Sequence, residues 1–191
     1  MSLKDKTFYT ITTPDGQLAL DVSGSTENGS LVRLNPQNGS DSQQWQIIYL
    51  PQADCFKLQN KASEKLLDTL VSGIEAGTWC QQWDDVDGDS QVWYVEETVD
   101  GCYKLKSKKS GRCLDIVAMA AVEGALLQIW DDVDGENQRW KFGEIPAAKK
   151  PAAKKPAAKK PAAKKPAAKK TEAAAPATEP APAKKPRRGK K

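Results

Sequence analysis

The sequence contains no histidine. That excludes imidazole acid–base catalysis, Ser-His-Asp and Cys-His nucleophiles, and histidine-ligated metal sites. Carboxylate pairs remain as acid–base candidates. No apolar run reaches the ~18 residues that a membrane helix needs. The start, Met1-Ser-Leu-Lys-Asp-Lys6, has no apolar core of a secretory signal, so a cytoplasmic protein is expected, with secretion as the alternative. Cysteine is sparse: Cys55, Cys80, Cys102 and Cys113 are expected as reduced thiols packed as small apolar residues.

What is present is unevenly distributed. The 191 residues carry a formal net charge of +4. Residues 1–145 hold 13 basic and 23 acidic side chains, a net of −10, and residues 146–191 hold 16 basic and 2 acidic, a net of +14. The segment from Pro146 reads Pro-Ala-Ala-Lys-Lys five times, through Lys170, and contains no aromatic residue. Proline every fifth position removes a helical donor, and alanine offers nothing large to bury, so 146–191 is expected to be disordered. Its composition resembles the Lys/Ala/Pro-rich tails of linker histones and bacterial histone-like proteins. Paired lysines on such a chain attract polyanions, nucleic acid among them, without reading sequence. A solvated spacer is the plainer reading. Without aromatics, base stacking is not offered.

Residues 1–145 repeat themselves. Leu20-Asp21-Val22, Leu67-Asp68-Thr69 and Leu114-Asp115-Ile116 recur at spacings of 47 and 47. Gln43-Gln44-Trp45, Gln91-Val92-Trp93 and Gln138-Arg139-Trp140 recur at 48 and 47, as do Gly29, Gly77 and Gly124. Short alternating apolar runs lie between turn clusters such as Pro14-Asp15-Gly16, Asn38-Gly39, Asp87-Gly88 and Asp134-Gly135, the pattern of strands and tight turns. The reading is an all-β domain of about twelve strands, four per repeat, over 7–50, 51–97 and 98–143. Units this small must share one core. Trp45, Trp93 and Trp140, equivalent in all three, are assigned to that core, each with its Gln bracing a turn.

A repeat of this length carrying Leu-Asp-Val and ending in Gln-x-Trp resembles the ricin B-type lectin domain, carbohydrate-binding module family 13. The resemblance covers about 7–143 and implies a β-trefoil: a six-stranded barrel capped by three hairpins. It also implies non-catalytic binding of terminal galactose or N-acetylgalactosamine, and sometimes of xylan-like polysaccharide. No cofactor or metal is implied.

The residues fit that chemistry. Gln128 and Trp130 are two apart, as are Gln81 and Trp83, so each pair shares a strand face. An indole packs on the C–H face of a pyranose, a carboxylate accepts from vicinal hydroxyls, and amides work around the ring edge. The resemblance gives Asp115 and Asp68 the hydroxyl-binding role and Trp130 and Trp83 the stacking role. Asn137 is the polar partner, replaced in repeat two by Ser90; Gln128, Gln138, Gln81 and Gln91 are supporting amides. Repeat one departs: Arg33 stands at the Gln position and Asn35 at the aromatic one, so its site is expected to be dead or altered, with Asp21 bracing a hairpin. Trp79 either widens the platform or only packs. The loops Asp84–Asp89 and Asp131–Glu136 invite a calcium reading, but their register does not match an EF-hand, and turns are preferred. The function expected is a two-site lectin with a polyanion-contacting tail. The alternative is a polyanion- or nucleic-acid-binding protein whose trefoil is a scaffold. A trefoil of this size implies no deep cleft, which disfavours a glycosidase.

Overall fold

The computed structural model describes residues 3–146. The disorder expected of the basic tail falls, from residue 147 on, outside the described residues. Twelve strands follow in order: β1 (Thr7–Thr12), β2 (Leu18–Asp21), β3 (Arg33–Pro36), β4 (Gln44–Leu50), β5 (Cys55–Asn60), β6 (Leu66–Thr69), β7 (Thr78–Trp83), β8 (Trp93–Glu97), β9 (Tyr103–Ser107), β10 (Cys113–Ile116), β11 (Leu127–Trp130) and β12 (Lys141–Glu144). Four strands come from each repeat, and the helices among the described residues are single 3₁₀ turns. None is long and apolar enough to cross a membrane.

Six strands form a ring. Antiparallel pairing runs β1–β4, β4–β5, β5–β8 and β8–β9, and β12 pairs with β1. A bridge between Tyr103 and Trp140 closes it, with N–H···O distances of 2.8 and 2.9 Å. The other six strands form the hairpins β2–β3, β6–β7 and β10–β11. These also pair with one another: Trp79 of β7 opposes Gln128 of β11, Leu31 bridges Gln81, and Arg33 bridges Leu126. This is the β-trefoil.

The alternation seen in the sequence places the core. Tyr9 and Ile11 of β1 and Trp45 and Ile47 of β4 are buried, with Thr10 and Gln46 between them less so. Trp45, Trp93 and Trp140 are fully buried. Their indole N–H groups donate to the carbonyls of Leu20, Leu67 and Leu114 at 3.1, 3.1 and 3.2 Å. Each of those leucines precedes the repeat's aspartate. The core tryptophan therefore satisfies its own polar atom and at the same time pins the strand that carries Asp21, Asp68 or Asp115. All four cysteines are free and buried.

Candidate functional site

The hairpin register sets the site. Across β10–β11, Asp115 opposes Gln128 and Cys113 opposes Trp130; across β6–β7, Asp68 opposes Gln81 and Leu66 opposes Trp83. Leu114 and Leu67 point into the core, so alternation turns Asp115 and Asp68 to the outer face of the cap.

In repeat three the carboxylate of Asp115 is buried and held by three amides. Gln128 donates to Oδ1 at 2.8 Å, and Asn137 and Gln138 donate to Oδ2 at 2.6 and 3.0 Å. Gln138 also ties the acidic loop, donating to Asp131 O at 2.8 Å and accepting from Val133 N at 3.0 Å. A Cβ on Gly135 would run into Asn137 Oδ1, so glycine there makes room for the amide. Over this floor lies an open cavity of about 420 Å³, lined by Asp115, Gln128, Trp130, Asn137 and the apolar Ala118, Met119 and Val133. Trp130 is 40% exposed, and its ring edge lies close to Gly77, where a Cβ would sit 3.6 Å away.

Repeat two builds the same arrangement with fewer amides. Gln81 donates to Asp68 Oδ2 at 2.9 Å, and Oδ1 has no hydrogen-bond partner. Ser90 is buried and faces Ser72, with their hydroxyls 3.3 Å apart. Gln91 is fully buried and braces the loop, donating to Asp84 O at 2.8 Å and accepting from Val86 N at 3.1 Å. The cavity, about 540 Å³, is lined by Asp68, Gln81, Trp83, Gly29, Val86 and the Leu70–Ser72 turn. Trp83 is 36% exposed.

Repeat one is built differently: its open cavity, about 590 Å³, is lined by Asp21, Ser23, Asn35 and Ser42 and has no aromatic residue. Asp21 opposes Arg33, and Ala19 opposes Asn35. Asn35 folds onto the carboxylate instead of covering it with a ring, donating to Asp21 Oδ2 at 3.0 Å; Gln43 donates to the same oxygen at 3.1 Å, and Ser23 N donates to Oδ1 at 2.7 Å. The three carboxyls differ accordingly. Burial drives Asp115 and Asp68 upward, and their amide partners do not offset it. Burial also pushes on Asp21, but donors from Asn35, Ser42, Ser23 N and Gln43 outweigh it and hold it low. Asp68 Oδ1 is left without a partner, whereas Asp115 is held by three amides; a carboxylate oxygen has lone pairs that sugar hydroxyls can also meet.

Asp115, Gln128, Trp130 and Asn137 line one cavity, and Asp68, Gln81 and Trp83 line the other. Gln138, Gln91 and Ser90 lie behind the surface and brace it. The sequence reading left out the apolar lips. Val71-Ser72 and Ala118-Met119 are consecutive residues with φ between 52° and 56°, an uncommon conformation for side chains of this kind. It also left out Gly29 and Gly77, which pass beside the tryptophan of the following repeat. Their spacing of 48 was the available signal.

The acidic loops are held by basic side chains. Lys57 Nζ lies 2.8 Å from Asp85 and 3.4 Å from Asp87; Lys104 lies 2.7 Å from Asp132 and 3.0 Å from Asp134; Arg112 meets Asp131 at 2.8 Å. Asp87 and Asp134, with φ of 52° and 54°, make the left-handed bend themselves.

The ricin-type β-trefoil lectin domain-like family matches residues 2–83 and 89–153. The chain belongs to this family. The lectin-like domain is similar to ThreeFoil, a designed 3-fold symmetric protein: 30% identity, TM-score 0.70, 72% of this chain and 99% of that one. It is also similar to an exo-β-1,3-galactanase from Clostridium thermocellum (29% identity, TM-score 0.70), covering 75% of this chain and 31% of that one. The ricin B-like lectin of Macrolepiota procera, solved in complex with lactose, shares the fold at 17% identity and TM-score 0.66, over 76% of this chain and 100% of that one. A comparison with curated proteins finds no match. Family membership makes carbohydrate binding the function class of the domain.

Proposed function

We propose that the protein is a non-catalytic lectin for galactose- or N-acetylgalactosamine-terminated glycans. It binds through two sites, in repeats two and three, while its basic tail contacts a polyanion. One observation carries the reading: a buried carboxylate and a partly exposed indole line one cavity in repeats two and three, and in repeat one Asn35 stands in place of the indole. Asp115 and Asp68 accept from vicinal hydroxyls, Gln128 and Gln81 orient them, Asn137 serves the ring edge, and Trp130 and Trp83 take the C–H face. A sugar lacking the matched hydroxyl leaves these buried groups unpaired, which is the source of selectivity. The galactanase and lactose-bound relatives support a galactoside.

Each shallow site binds weakly, on the order of millimolar, or about −4 kcal/mol. Two sites on one rigid domain gain strength on clustered glycans. The test is retention of the full chain on immobilised galactose, with elution by free galactose compared with free glucose. Flow-through, or equal elution by both sugars, overturns the reading. The charge of +14 on residues 146–191 also favours a second reading, in which the tail is the working part and the trefoil a scaffold.

A further inference from the structure

We propose that Trp79 adds a second subsite to the repeat-three site, so that this site takes two consecutive hexose units of a galactoside while the repeat-two site takes one. The inference rests on the galactoside reading above.

The two sites are near copies, and they differ in the neighbour that the adjacent repeat supplies. Trp79, Gln81 and Trp83 alternate along β7 and so share its outer face. Trp79 stands directly opposite Gln128 across the β7–β11 pair. That register makes it diagonal to Trp130, a separation of about 7–8 Å that aromatic side chains span. Gly77, close beside the Trp130 ring, adds no side chain on that line. The corresponding neighbour of the repeat-two site is Leu31, which bridges Gln81, with Gly29 beside Trp83. In repeat one it is Leu126, which bridges Arg33.

Packing does not account for the tryptophan. Leucine is half-buried at both equivalent positions, whereas Trp79 leaves 43% of its surface in water. A large exposed apolar side chain beside a cavity marks contact with a ligand more readily than it marks core. The pair Trp130 and Trp79 presents two stacking surfaces in succession, spaced for neighbouring rings of one oligosaccharide. Trp83 and Leu31 present one.

The test uses the full chain carrying Trp83→Ala, so that only repeat three reports. Methyl β-galactoside and lactose are titrated before and after Trp79→Leu, which installs the residue found at the equivalent positions. The expected result is unchanged monosaccharide affinity and a loss of roughly threefold to tenfold for lactose, the worth of one aromatic contact. Trp79→Phe, which keeps a ring, retains most of the lactose preference. In the reciprocal experiment, Leu31→Trp in a Trp130→Ala background gains lactose affinity at repeat two. An equal loss for both sugars, or no loss for lactose, overturns the inference while leaving the lectin reading intact. If the parent binds neither sugar, the galactoside reading falls and this one with it.

Discussion

Replacing Trp130 and Trp83 by alanine separates binding from folding. Trp130 is 40% exposed, so an indole offering roughly 200 Å² presents about 80 Å² to solvent. A hexose laid on it covers on the order of 50 Å² and buries a similar area of its own C–H face, together about 2.5 kcal/mol at 25 cal/mol per Å². Ordering the ligand cancels part of that, leaving about 1–2 kcal/mol, or roughly fivefold to thirtyfold in affinity. From a millimolar start, either change pushes its site out of a useful range, and the double variant loses retention on galactoside resin. Stability falls as well, by up to about 3 kcal/mol for each ring, because roughly 120 Å² of each is buried, so the thermal midpoint must show that the variant is still folded. Trp140→Ala is the control: that ring is fully buried, and its N–H bonds Leu114 O, so truncation costs on the order of 3–5 kcal/mol of stability. Resin retention and thermal midpoints, measured on the same preparations, decide the matter. A folded double variant that still binds would refute the site assignment.

Acidification should weaken galactoside binding before it unfolds the domain. Burial raises the carboxyls of Asp115 and Asp68, so their charge is lost above the ordinary carboxylate range. Being raised in the folded state, they favour the fold below that range and cease to do so as pH climbs through the raised value, so their protonation does not unfold the domain. Asp132, hydrogen-bonded by Lys104, and Asp100, hydrogen-bonded by Thr98, are each held near about 2; the stability they lend is lost as pH falls toward that value. Coincident acid midpoints for binding and for circular dichroism would contradict this. Chelation with EDTA should leave binding unchanged, since Lys57 and Lys104 hold the loop carboxylates; a loss reversed by calcium would revive the calcium reading. If about six lysines of the tail engage duplex DNA, log K falls against log salt with a slope near −5. Truncation after Ile145 should abolish that binding, and affinity surviving truncation would assign it elsewhere.

Much of this was legible in the residues because the domain is written three times. The spacing of 47 or 48 residues for Leu-Asp and Gln-x-Trp pointed to four strands per repeat and to the equivalence of Trp45, Trp93 and Trp140. It also showed that repeat one is built differently, since Arg33 and Asn35 fall where Gln81 and Trp83 stand. The cavity lips were not legible. Val71 and Ala118 adopt left-handed backbone without a residue type that signals it, because the strain is imposed by the surrounding hairpin. Nor was the contribution of Gly29 and Gly77 apparent: Gly29 belongs to repeat one in sequence and lines the repeat-two cavity, and Gly77 belongs to repeat two and lies against the Trp130 ring. That neighbourhood arises only when the three hairpins pair across the cap.

The bridge between Tyr103 and Trp140 bears on how the domain is made. It closes a ring whose last pairing, β1 with β12, joins Tyr9 to Glu144, so nearly the whole domain must be present before the seam can form. Contacts that distant in sequence restrict a long loop before they return any burial, and folds dominated by them assemble slowly and as one unit. The three repeats look like modules on paper, yet their buried side chains form one shared core. A break in β12 would cost the repeat-two site its shape as surely as it would cost repeat three's.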